Sequence, residues 1–162
     1  MHLVRDSRGV AYSCQKLVEK HVTTGPPTYL PQLGPFEASV RYMLYNGLTA
    51  SLRLFDAPYL LLRYEDLIDD PTRWLRAVAA HAGEDMMGDL PFLHDGQATV
   101  AENHMVDGKP VRFAKGGLKL RPDDEWRSKL SRPDQASVTV LTVPLLEAYG
   151  YPLRPQLRPG RR

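Results

Sequence analysis

The sequence predicts an α/β fold, mostly helical, built around a parallel sheet. Three observations carry that prediction. A short apolar strand, His2-Leu3-Val4, opens the chain. A second apolar run, Tyr59-Leu60-Leu61-Leu62-Arg63-Tyr64, is continuous rather than alternating, as in a strand covered on both faces of a parallel sheet. The sequence between them is long and helical enough to supply the crossover that a parallel pair requires.

The elements follow in order. From Ser7 to about Lys20, Val10, Cys14, Leu17 and Val18 recur at helical spacing and predict a helix with those four on its inner face. Thr23 to Gly34 holds Pro26, Pro27, Pro31 and two glycines, too many breakers for regular structure, and predicts an exposed loop. From Pro35 a helical period in Phe36, Val40, Met43, Leu44, Leu48, Leu52 and Phe55 predicts a helix of about five turns, with proline tolerated in its first turn. After the second strand, Asp70-Pro71 reads as an N-cap and first-turn proline. The stripe Leu75, Val78, Ala79, Ala82 then stops at Gly83.

Residues 84 to 122 read as irregular, with a short extended piece around Ala98 to Val106 and a basic, glycine-containing bend from Gly108 to Gly117. Asp123 to Leu130 predicts a short helix, and Pro133 to Tyr149 a longer one kinked by Pro144. Residues 1–153 are expected to form one domain and 154–162 a flexible Pro/Arg-rich tail.

Composition narrows the classes of function. The chain has 162 residues, 43% of them hydrophobic and 25% charged, which suits one folded domain. A net charge of +2 without a basic stripe argues against nucleic acid as a partner. The single cysteine, Cys14, rules out an intrachain disulfide and a cysteine-built zinc site, and no metal is expected. No apolar run approaches the roughly 20 residues that span a bilayer. A cytoplasmic, reducing location is expected.

The strand-to-helix turn carries the first chemical signal. Arg5 ends the strand and Ser13 follows eight positions later. A guanidinium offers a two-pronged fork to phosphate oxygens, and a hydroxyl inside the helix can face the same side. The helix N-terminus adds free N–H groups and positive dipole character. The bland alternative pairs Arg5 with Asp6 or another nearby carboxylate and leaves Ser13 to solvent. His2, His21, His81, His94 and His104 lack metal-ligand or triad spacing and read as structural or surface residues. Glu65 and Asp66 are adjacent, which points their side chains apart. No catalytic residue is assigned.

Three segments together resemble the PAPS-dependent sulfotransferase family, in its bacterial branch. His2-Leu3-Val4-Arg5-Asp6-Ser7-Arg8-Gly9-Val10-Ala11-Tyr12-Ser13 resembles the family's 3′-phosphate-binding strand and helix. Leu62-Arg63-Tyr64-Glu65-Asp66-Leu67 with Asp70-Pro71 is similar to its Tyr-Glu-Asp-Leu segment and the capped helix after it. Pro110-Val111-Arg112-Phe113-Ala114-Lys115-Gly116-Gly117 with Asp124-Glu125-Trp126-Arg127 resembles its late glycine loop and Trp-bearing helix.

The resemblance implies a P-loop-like three-layer fold with a parallel sheet, incomplete at its N-terminal side. It also implies transfer of a sulfuryl group from PAPS (3′-phosphoadenosine 5′-phosphosulfate) to a hydroxyl or amine of a small-molecule, carbohydrate or lipid acceptor. By the same resemblance Arg5 and Ser13 hold the 3′-phosphate, Tyr64 lies near the adenine, and Lys115 with the Gly116 backbone closes over the phosphate. Tyr64 as a core residue is the competing reading, and Trp126 is expected to be a packing anchor. Ser7 stands where the family often has proline, and Ala114 where it often has arginine.

The sequence contains no G-x-x-x-x-G-K-[ST] loop to hold the 5′-phosphosulfate. The chain is therefore expected to begin within a domain and to be inactive by itself. The other reading is a non-catalytic nucleotide- or partner-binding module.

Overall fold

The computed structural model describes residues 1–19, 26, 28–94, 96–100 and 116–154. It is a mixed α/β structure that divides into two compact units. The first comprises Met1–Gln15, Leu33–Arg63 and Asp123–Arg162, and the second Lys16–Gln32 and Tyr64–Pro122.

In the first unit, strand β1 (His2–Val4) pairs in parallel with β2 (Leu61–Arg63), in the register His2↔Leu61, Leu3↔Leu62, Val4↔Arg63. The crossover contains helix α1 (Ser7–Gln15), helix α2 (Pro35–Ser51) and a 3-10 turn, Leu52–Phe55. The short helix α5 (Trp126–Lys129) and the long helix α6 (Arg132–Ala148) complete the unit, with α1 packed on α2, α5 and α6. Val4, Leu146, Tyr149 and Tyr151 form one core cluster, and Ala11, Ala38 and Val138 another.

The predicted strand pair and its helical crossover are present, but several boundaries and faces differ. Helix α1 stops at Gln15 rather than near Lys20, so Leu17 falls outside it and is exposed. Its buried residues are Ser7, Arg8, Gly9 and Ala11 instead of the larger apolar stripe. Helix α2 has the predicted start and extent, yet it buries Ala38, Ser39 and Tyr42. Small side chains let α1 and α6 approach its backbone closely. The apolar stripe lies on the other side: Phe36, Val40, Leu44, Leu48, Leu52 and Phe55 are all exposed. Strand β2 is shorter than the apolar run predicted, and Tyr64 opens a helix instead of ending the strand. Leu3 is exposed, so the strand pair is not covered throughout.

Helix α6 contains Pro144, which has no N–H to offer the Val140 carbonyl. Val140 is exposed, and water can take that place. Ser131 caps the helix by accepting a hydrogen bond from the Asp134 N–H at 3.2 Å. Gly150, at φ +71°, supplies the left-handed residue that lets the chain leave the helix.

The second unit holds α3 (Tyr64–Asp69) packed on α4 (Pro71–His81), and an antiparallel sheet of β3 (Leu93–His94), β4 (Gln97–Val100) and β5 (Gly116–Lys119). Helix α4 matches its prediction. Asp70 accepts from the Arg73 N–H at 3.1 Å, and Gly83 adopts φ +82° just past the end. The sheet corrects the expectation of irregular structure across residues 84 to 122. Its strands are two to four residues long and carry few apolar side chains, so their hydrogen-bonded pairing outweighs a weak sequence signal. Of the predicted extended piece, residues 98–100 belong to β4, and 101–106 lie outside the described residues. Of the Thr23 to Gly34 loop, residues 23–25 and 27 lie outside them, as do 155–162; residues 28–34 are mostly exposed and irregular apart from a bridge between Tyr29 and Glu19.

Candidate functional site

The turn from β1 into α1 is held by Asp6 and Arg8. The Asp6 carboxylate accepts the Arg8 backbone N–H at 3.0 Å, which caps the helix, and it also receives the Arg8 guanidinium. The Tyr42 hydroxyl donates to the Arg5 carbonyl at 2.8 Å and fixes the backbone at the end of the strand. The Ser7 and Thr142 hydroxyls lie 2.7 Å apart in the core. Because Thr142 donates to the Val138 carbonyl, Ser7 is the donor to Thr142. Ser7 thus has a buried bonding role that proline could not fill.

Arg5 leaves this turn along the surface of α1. A Cβ on Gly9 would meet Arg5 Nε and Nη2 at 3.1 Å and Trp126 Cδ1 at 3.2 Å, so the absence of a side chain is what lets Arg5 lie there. Ser13 is one turn further along the same row, since positions four apart share a helix face. Arg5 also meets Asp123, with Nη2 at 2.9 Å from Oδ2 and 3.1 Å from the backbone carbonyl. Both side chains remain partly exposed. The structure thus lays the cation against the glycine, with Ser13 one turn further along α1, and pairs Arg5 with a carboxylate as the alternative reading expected, though with Asp123 rather than Asp6.

Trp126 is buried, consistent with a packing anchor. Two guanidiniums stack over its ring, Arg8 at 4.8 Å and Arg127 at 4.7 Å from the centroid. This is a cation–π arrangement that holds the indole on two contacts.

Tyr64 and Gly116 belong to the second unit. The Tyr64 hydroxyl donates to the Arg121 carbonyl at 3.4 Å, and its side chain is half-buried. Gly116 adopts φ +86° at the start of β5, with open space where a Cβ would stand. Backbone conformation, not a close neighbour, makes glycine fit there. Lys115 lies outside the described residues.

His2 is buried in the first unit. Its Nε2 meets Asn46 Oδ1 at 2.9 Å and its Nδ1 meets the Tyr59 hydroxyl. Asn46 Nδ2 donates to the Tyr42 carbonyl, which leaves Oδ1 facing the ring. Both ring nitrogens are thus engaged within the unit, a structural role. Tyr149 packs edge-on against the same ring, and burial pushes its hydroxyl above the ordinary tyrosine value. Among the described residues no group of three His, Cys, Asp or Glu side chains could hold a metal ion. No helix among them is long and apolar enough to cross a membrane.

No protein-family model, no curated protein and no solved structure matches this chain.

Proposed function

We propose that this chain is a sulfotransferase-family protein that binds the 3′-phosphoadenosine end of PAPS through Arg5 and Ser13, on the P-loop-like architecture its motifs resemble. The observation that carries the reading is the row Arg5, Gly9, Ser13 at the start of α1, with the guanidinium laid across the glycine. A dianionic phosphate competes with the single carboxylate of Asp123 for the same fork. For Tyr64, Lys115 and Gly116 the family resemblance alone suggests a part in nucleotide binding.

Sulfuryl transfer to a hydroxyl or amine needs donors that stabilise the bridging and departing oxygens as charge builds. The sequence lacks the Gly-rich loop that would supply them. The proposal is therefore binding without turnover by this chain alone.

Calorimetric titration with 3′-phosphoadenosine 5′-phosphate tests it. Saturable binding is expected, weakened about tenfold or more by Arg5→Ala, since a charge-assisted hydrogen bond contributes about 1.5–3 kcal/mol. Equal affinity for adenosine 5′-phosphate, which has no 3′-phosphate, would refute the assignment. The exposed apolar face of α2 favours a second reading, a partner-binding module, in which the same titration gives no heat.

A further inference from the structure

Helix α5, the first half of α6 and the segment after α6 border a half-open cavity of about 850 Å³. Arg127, Arg132 and Arg154 line it, together with the apolar side chains of Leu130, Val140 and Leu153. Among the described residues that line it there is no carboxylate. Arg127 shares its charge with Asp124, Nε to Oδ1 at 3.2 Å. The side chains of Arg132 and Arg154 have no ion pair or hydrogen bond among the described residues.

Three guanidiniums around one cavity repel one another, and Arg132 stands in the first turn of α6, where the helix dipole disfavours a cation. An anion inside the cavity offsets both costs. The N-terminal amides of α6 are not what would bind it, because Ser131 already caps Asp134 N–H. The guanidiniums are the donors, and their forks suit oxyanions. The apolar wall has no use for a bare ion, and the volume falls within the range of about 300–1,000 Å³ typical of small-molecule sites.

We propose that this cavity is a second ligand site, separate from the Arg5–Ser13 row, that takes an apolar molecule carrying one oxyanionic group: a carboxylate, sulfate or phosphate. The apolar body rests on Leu130, Val140 and Leu153, and the anionic group meets Arg132 and Arg154.

Titration of the full chain with 1-naphthyl phosphate, 1-naphthyl sulfate and 1-naphthoate, followed by amide chemical shifts, tests the site and ranks the three head groups. Saturable shifts are expected in residues 127–140 and 153–154. Inorganic phosphate and neutral 1-naphthol should bind at least about tenfold more weakly, as should the Arg132→Ala, Arg154→Ala double variant. Both arginines are exposed, so that variant should keep the wild-type melting temperature.

Unchanged affinity in the double variant, equal binding of 1-naphthol, or no saturation would overturn the proposal. So would loss of binding in Arg5→Ala, which would move the ligand to the nucleotide site. Failure of 3′-phosphoadenosine 5′-phosphate to bind would leave this second site standing.

Discussion

Arg8 and Asp6 form a two-pronged ion pair inside the first unit: Nε to Oδ1 at 2.8 Å and Nη2 to Oδ2 at 2.7 Å, with side chains 0% and 5% exposed. The remaining guanidinium donors reach the Pro152 carbonyl at 2.8 Å and the Leu153 carbonyl at 3.0 Å. Removing one partner strands a buried charge. Asp6→Ala should therefore lower the unfolding free energy by about 3–5 kcal/mol, measured by urea denaturation. A loss below about 1 kcal/mol would mean that water reaches Arg8 in solution.

Gly9→Ala should separate stability from binding. Alanine gains about 1 kcal/mol of helix propensity, but its Cβ must displace either Arg5 or the Trp126 indole. Trp126 is buried and stacked, so the partly exposed Arg5 should yield. The melting temperature is expected to change little while affinity for 3′-phosphoadenosine 5′-phosphate falls. Undiminished affinity would exclude Arg5 from the phosphate site.

Asp123→Asn should act in the opposite direction. It frees the Arg5 fork from a carboxylate and removes a negative charge from the place a phosphate would occupy. Calorimetry should show tighter binding of the nucleotide, by several-fold, with an affinity that falls as salt rises. Weaker binding would assign Asp123 to positioning Arg5 rather than to competing for it.

Tyr149 predicts a loss of stability in alkali. Burial raises its folded-state value above the ordinary 10.0, aided by the neighbouring Tyr59 hydroxyl and opposed by the Arg53 charge. A proton held more tightly in the folded state gives stability that is present below about pH 10 and lost as pH rises through the higher folded value. The urea midpoint of the wild type should fall more steeply above pH 10 than that of Tyr149→Phe. Parallel curves would show that Tyr149 ionises as freely folded as unfolded.

Local signals in the sequence translated well into local structure. Asp70, Pro71 and Gly83 bound α4 because a cap, a first-turn proline and a left-handed glycine act within a few residues of themselves. The two strands were legible for the same reason, each being a contiguous apolar run. The face of α2 was not: periodicity located the apolar stripe, but contact with α1 and α6 selected the small residues Ala38 and Ser39 for burial. Asp123, the partner of Arg5, lies 118 positions away, and no spacing rule reaches that far. The β3–β4–β5 sheet escaped notice because pairing between very short strands leaves little trace in any one of them.

The reach of Arg8 also has a consequence for synthesis. Two of its acceptors lie 144 and 145 positions further along the chain. A ribosome therefore completes β1, α1 and α2 long before Pro152 and Leu153 emerge, and until then the Arg8 guanidinium keeps its water. Docking of α1 must wait until residues 152 and 153 have been made, so the first unit is expected to form late and at the slow rate of a high-contact-order topology.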